Sequence, residues 1–333
     1  MKPDFQKRQK RLAELMKKKN VEAVLTSDKN DIYYYTGYLG FKDDAIFMLF
    51  PADRKPKIIA TLLESEIKTV YPHVMFIKKF EDLFKIVRPY RTIGFDERKM
   101  NVLLYKKLKK LKLSLKPFEK FIKMQRVVKD EYEMDQIKKA IRVTKKAFKY
   151  VEGRFTGKSE IEIAEMIDMF FKKHHVENAF ENIVSSGEQS SFVHHKPNEK
   201  IVKSCEHVLV DIGCKSNGYC SDLTRVFGRL TGKKKAVFED VKEIHDVIFD
   251  NIASGVSIEA IERLQEKLFR KKGYKVCHSF GHSVGLDVHD PMPDTLKENM
   301  VMTIEPGIYI KGIGGFRIEN MILIKKNKAE MLS

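Results

Sequence analysis

The sequence predicts an α/β domain over residues 1–120 followed by an α+β domain over residues 121–333. Three observations carry this expectation. At 333 residues the chain is long for a single core. Its first third alternates short helical and strand-like patterns, as layered α/β domains do. After Pro117 the pattern changes to long charged amphipathic stretches and to strands that carry acids.

Taken in order, "MKPDFQKRQKRLAELMKKK" reads as an amphipathic helix over about 4–19, and it lacks the apolar centre of a signal peptide. The apolar run "VEAVLT" and the aromatic stretch "NDIYYYTGY" follow, then strands "AIFMLF" and "KIIAT". A helix near 63–70, the strand "HVMFI", a helix near 80–87 and the strand "RTIGFD" continue the alternation. In "NVLLYKKLKKLKLSLK", Leu104, Leu108 and Leu111 recur at helical spacing with lysines between them. Beyond residue 120, helices are expected from Asp130, from Ser159 as N-cap to about Lys173, and from about Lys233 to Arg270 with a break at "ASGVS". "ENIVSS", "HVLVDIGCKSNGYCSDLTRVFG", "MVMTIEPGIYI" and "GFRIENMILIKK" read as strands.

Composition narrows the function classes. Apolar residues make up 43% and charged residues 33%, which fits a soluble globular protein. No apolar run approaches the ~20 residues of a spanning helix, so a cytoplasmic location without membrane attachment is expected. Cys205, Cys214, Cys220 and Cys277 form no CxxC pair and are expected to be reduced, buried thiols. The net charge of +17 invites a nucleic-acid partner, but the lysines are spread along the chain, and a lysine-rich surface accounts for them.

In "GHSVGLDVHD", His282 and His289 stand seven residues apart. Taken alone, the stretch fits metal ligands, a catalytic pair or polar residues near a turn. Carboxylates elsewhere narrow the choice. Asp211 ends the apolar run "VLV" and Asp222 opens the next strand, and a turn at "KSNG" would bring the two acids to one mouth. Glu305 in "VMTIEPGIYI" and Glu319 in "GGFRIENMILI" are likewise acids inside apolar strands, where burial is costly without a partner. Four carboxylates and the imidazole of His282 are a hard ligand set suited to two divalent ions such as Mn²⁺, Co²⁺, Fe²⁺ or Zn²⁺.

The pieces "SSGEQSSFVHH", "DIGCKSNGYCSDLTR", "GHSVGLDVHD", "TIEPGIY" and "GGFRIEN" resemble the pita-bread metallopeptidases, in particular their Xaa-Pro dipeptidase (prolidase) and aminopeptidase P branch. The first domain looks like the creatinase-type domain that accompanies this branch. The resemblance implies a creatinase-like α/β domain and an α+β pita-bread catalytic domain. It also implies hydrolysis of the bond between an N-terminal residue and proline, a homodimer, and proline-containing peptides as partners. Asp211 would bind one metal, Asp222 and Glu319 both, and His282 and Glu305 the other. A bridging water or hydroxide would attack, with Glu305 accepting its proton. His194 and His289 match histidines on the substrate side, and Arg317 matches an arginine read as support for the ligands and the substrate. His195 is open to the role given to His194. Ser283 and Asp290 replace the family's usual glycine and glutamate. Pro293 stands where prolidases often place an arginine for the dipeptide carboxylate, which shifts weight towards an aminopeptidase.

The alternative from another class is a non-catalytic pita-bread module binding protein or nucleic acid, although such modules generally lose ligands and none is missing here. "GIGGF" leads into a strand, so it reads as a turn rather than a phosphate loop. His174 and His175 end a helix, where they complement its dipole. Tyr33, Tyr34 and Tyr35 read as packing of the first domain or as a substrate-side wall.

Overall fold

A computed structural model describes residues 3–40 and 46–333. The chain divides into two units, Met1–Arg126 and Val127–Ser333.

The first unit contains, in order, α1 (Phe5–Lys18), β1 (Ala23–Thr26), α2 (Lys29–Thr36), β2 (Phe47–Pro51), β3 (Lys57–Ala60), α3 (Ile67–Val70), β4 (Val74–Phe76), α4 (Glu81–Val87), β5 (Thr92–Phe95), α5 (Val102–Lys110), β6 (Ser114–Pro117) and α6 (Glu119–Lys123). Ala45, the first residue of the strand expected as "AIFMLF", lies outside the described residues. Asp4 caps α1 by accepting from the Lys7 amide, and Leu12 and Met16 form the buried stripe of that helix. The strands form one mixed sheet in the order β4-β3-β2-β1-β5-β6, with β1 antiparallel to β2 and parallel to β5.

Two segments depart from simple reading of the pattern. The tyrosine run is helical: the Asp28 carboxylate caps α2 at the Asp31 amide, and Gly37 at φ +80° ends it. Tyr33, Tyr34 and Tyr35 are all buried, which makes them packing residues of this unit. The lysine-rich stretch after residue 101 is helical only to Lys110; Lys112 at φ +58° turns the chain into β6, which pairs with β5 at the sheet edge.

The second unit contains α7 (Glu131–Val151), α8 (Glu160–Lys173), β7 (Glu177–Asn178), β8 (Ile183–Ser186), β9 (Val208–Ile212), β10 (Cys214–Ser216), β11 (Tyr219–Cys220), β12 (Leu223–Phe227), α9 (Gly232–Asp250), α10 (Ile258–Lys271), β13 (Val301–Ile304), β14 (Gly307–Ile310), β15 (Gly314–Arg317), β16 (Asn320–Ile324) and β17 (Ala329–Met331). Reciprocal capping boxes start α7 at Asp130 and Glu133 and α8 at Ser159 and Glu162. Small antiparallel sheets carry the chemistry. β9 lies between β8 and β12, β16 lies between β13 and β17, and β14 pairs with β15.

The turn at "KSNG" joins β10 to β11 with Asn217 and Gly218 both at positive φ. Gly213 is required beside it, because a Cβ there would meet the Ser221 carbonyl at 1.9 Å. Isolated bridges between Thr224 and Glu319 and between Ser283 and Met302 join the loops and strands around the centre. Cys214 and Cys220 are buried free thiols, whereas Cys205 and Cys277 are exposed, contrary to the expectation that all four are buried. Both exposed cysteines lie in irregular loop segments, where an apolar neighbourhood in sequence does not become a core.

Candidate metal centre

Register delivers the acids. Asp211 on β9 stands opposite Thr224 on β12, and Asp222 is the residue just before β12. Glu319 lies between β15 and β16, and the bridge to Thr224 draws it to the same place. Glu305 follows β13, and His282 sits in the segment that bridges to that strand at Ser283 and Met302. The approach is close, since a Cβ on Gly281 would meet the Thr303 carbonyl at 2.1 Å.

The side chains converge. His282 Nε2 stands 3.3 Å from Asp222 Oδ2, 3.4 Å from Glu305 Oε1 and 3.9 Å from Glu319 Oε1. Ligand atoms of Asp222, His282 and Glu319 all lie within 4.8 Å of one another. Arg317 donates from Nη2 to Asp211 Oδ2, from Nε to Thr224 Oγ1 at 2.9 Å, and from Nη1 to the Tyr309 hydroxyl at 2.6 Å. Thr224 Oγ1 in turn donates to Glu319 Oε2 at 2.8 Å. Thus Asp211, Asp222, His282, Glu305, Glu319 and Arg317 come together in one cluster.

Electrostatics explains what the cluster needs. Burial, then the charges of Asp211 and Glu305, push the Asp222 carboxyl well up. Glu319 is pushed up by burial and by Asp222, and Glu305 is raised by its own burial. Four carboxylates outnumber the guanidinium groups beside them, Arg317 on Asp211 and Arg225 at the Glu319 backbone carbonyl. Asp211 Oδ1 is buried with no hydrogen-bond partner. A hard, oxygen-rich donor set with surplus negative charge and an unsatisfied carboxylate oxygen fits divalent cations. The buried acids of the first unit, Asp28, Asp31 and Asp96, differ here. Lys123 Nζ stands 3.3 Å from Asp28 and 3.8 Å from Asp96, and Arg126 stands 3.1 Å from Asp31, so the chain supplies its own cations.

Around the centre lie the histidines. His289 packs against His282 with ring centroids 4.2 Å apart, and burial with the neighbouring His282 and His194 lowers its pKa. His194 is exposed on the loop after Ser191, and its charge helps lower the pKa of His278 and of His289. His195 points to another partner, Glu160 Oε2 at 2.7 Å, a fully buried carboxylate that also accepts from the Ser186 amide and hydroxyl. Asp290 is engaged by Lys129 at 3.1 Å.

Two residues of the cluster went unread in the sequence, His278 and Tyr309. His278 Nδ1 donates to the Ser279 carbonyl at 2.9 Å, so its Nε2 accepts from the Tyr309 hydroxyl at 2.9 Å. Burial lowers its pKa to about 4, which keeps it neutral, and Nδ1 lies 3.9 Å from Glu305 Oε2. The available signal was the spacing in "HSFGH", a second imidazole four residues before His282.

The sequence profile of metallopeptidase family M24 matches residues 135–326, more than half of the chain and all of the cluster. The chain belongs to metallopeptidase family M24. The creatinase/prolidase N-terminal domain matches residues 8–128 of this M24 protein. Among curated relatives, a Xaa-Pro dipeptidase of Pyrococcus furiosus is 29% identical over 350 residues, covering 99% of this chain and 98% of its own. That of Pyrococcus horikoshii is 30% identical, covering 97% and 96%. Among solved structures, the Xaa-Pro dipeptidase from Bacillus anthracis superposes with TM-score 0.92 at 25% identity, over 99% of this chain and 97% of that one. The X-Pro aminopeptidase from Thermotoga maritima superposes with TM-score 0.89 at 28% identity, over 98% and 97%. The fold is therefore a creatinase-type α/β domain followed by a pita-bread domain, as the sequence led us to expect.

Proposed function

We propose that this M24 metallopeptidase hydrolyses the bond between an N-terminal residue and proline, using two divalent metal ions held by Asp211, Asp222, His282, Glu305 and Glu319. The observation that carries the reading is the convergence of four carboxylates and one imidazole on a site where the carboxylates outnumber the cationic side chains. The near full-length likeness to Xaa-Pro dipeptidases and to an X-Pro aminopeptidase supports the substrate class.

In this reading Asp211 would hold one ion, His282 and Glu305 would hold the other, and Asp222 and Glu319 would be shared between them. When bound, the cations supply Lewis acidity and bring the pKa of a water towards neutrality. Glu305 takes the proton of the attacking water at a carboxylate oxygen. His194 and His289 face the substrate and hold the developing negative charge, and the proton on Glu305 passes to the departing proline nitrogen. Arg317 fixes Asp211 and, through Thr224, Glu319. Neutral His278 and the Tyr309 hydroxyl complete the wall beside Glu305.

The native metal is proposed as Mn²⁺ or Co²⁺, with Fe²⁺ or Zn²⁺ as the other hard-donor choices, and the protein as a cytoplasmic homodimer. No helix among the described residues is long and apolar enough to cross a membrane, and all four cysteines are free thiols. The test is to incubate the purified protein with Mn²⁺ or Co²⁺ and Xaa-Pro dipeptides or Xaa-Pro-Xaa tripeptides. Metal analysis should find two ions per chain and turnover should follow loading. Absence of cleavage with every metal and both peptide lengths would refute the proposal.

A further inference from the structure

A cavity of about 690 Å³ adjoins the centre, walled by Gln189, Phe192, Val193, Cys277, Tyr309 and Lys311 among others. Three of these belong to the site or sit next to it in the chain: Tyr309 bonds His278 and Arg317, Cys277 precedes His278, and Val193 precedes His194. Its size is that of a pocket for a ligand of several residues, more than one prolyl ring fills. Phe192, 67% exposed, offers an unburied aromatic face at this wall.

The charges in the lining are unequal in commitment. Lys200 is held by Glu206 at 3.0 Å and by the Ser186 carbonyl at 2.7 Å. Lys311 takes part in no ion pair among the described residues and stands two residues beyond Tyr309, just past the end of β14. Lys311 opens the turn that joins β14 to β15, and it lines the same cavity as Tyr309. Glu188 contributes an opposing carboxylate to the same lining.

We infer that this cavity receives the part of the peptide that follows proline, with the Lys311 ammonium pairing with the C-terminal carboxylate of a tripeptide. The inference rests on the Xaa-Pro peptidase reading and adds a length preference to it. Orientation follows from polarity. The Lys311 ammonium repels the free amine of the N-terminal residue and attracts the carboxylate at the other end of the peptide. The bond to be cleaved has one residue on its N-terminal side, so further volume beyond the Tyr309 wall serves the other side.

The experiment compares Ala-Pro, Ala-Pro-Ala and Ala-Pro-Ala-amide as substrates of the metal-loaded protein and of its Lys311→Met and Glu188→Gln variants. The unsubstituted protein should favour the tripeptide acid over its amide by about threefold to fivefold in kcat/KM, the scale of a solvent-exposed ion pair. Lys311→Met should erase that preference through KM with kcat on the amide unchanged, and Glu188→Gln should increase it. An acid-to-amide ratio that Lys311→Met leaves intact overturns the subsite while leaving the peptidase reading standing. No turnover of any of the three by the unsubstituted protein overturns the peptidase reading and the subsite with it.

Discussion

The Tyr309 hydroxyl donates to His278 Nε2 at 2.9 Å and accepts from Arg317 Nη1 at 2.6 Å, so one phenol links an imidazole beside Glu305 to the guanidinium that holds Asp211. Tyr309→Phe removes both contacts with little change of volume. Activity on a Xaa-Pro peptide should fall by about 10- to 100-fold, while the metal content measured by mass spectrometry stays that of the unsubstituted chain. A parallel loss of metal would place Tyr309 in ligand support instead.

Crowding of carboxylates makes a second prediction with opposite signs in two conditions. In the metal-free protein, Asp222→Asn removes a buried carboxyl whose ionisation is disfavoured by burial, Asp211 and Glu305, and it relieves Glu319 of the same neighbour. Its melting temperature in EDTA should lie a few degrees above that of the unsubstituted protein, at roughly 2–4 °C per kcal/mol. Added Mn²⁺ should then raise the melting temperature of the unsubstituted protein far more than that of the variant. A metal-free variant less stable than its parent would contradict the charge argument.

His194 and His195 are neighbours with different partners, and alanine substitution should separate them. His194→Ala should lower kcat by about 10²- to 10⁴-fold with the fold intact. His195→Ala strips a partner from the fully buried Glu160 and should cost about 1–3 kcal/mol of stability with kcat largely retained. Circular-dichroism melting beside steady-state kinetics would show the split, and exchanged phenotypes would reverse the two roles.

Acid should weaken the second unit through His207. Ser190 Oγ already donates to the Gly187 carbonyl, so His207 Nε2 donates to Ser190 Oγ at 3.0 Å and the ring is neutral. Burial, then Lys234, lowers its pKa from 6.5 to about 4. Between those values the unfolded chain binds the proton and the folded one does not, so stability is full above pH 6.5 and declines as pH falls towards 4, by about 3 kcal/mol. Urea unfolding of the parent and of His207→Gln from pH 7 to 4 should show the parent losing that much more. Parallel curves would count against the assignment.

Much of the site was legible because a strand exposes the cost of an acid within it. Asp211 in "VLVDI" and Glu319 in "FRIENMILI" announce themselves by their apolar neighbours. His278 lacks any such contrast, and its role depends on a hydroxyl thirty-one residues away that no local pattern reveals. The first unit shows the same limit. "KIIAT" and "RTIGFD" are read from composition, whereas β6 has the alternating polarity of an edge strand directly after a lysine-rich helix, and the reversal at Lys112 is a backbone event. The tyrosine run favours a strand by propensity, yet Asp28 and Gly37 bracket a helix there, and capping and packing decide it.

The pairing of Thr224 with Glu319 spans ninety-five residues. A chain emerging from the ribosome therefore carries half of its carboxylates for a long interval before the strand ends that bear the others arrive. The cluster cannot assemble until the segment that carries Glu319 has been made, and a chain stopped before that point holds the first acids without their partners.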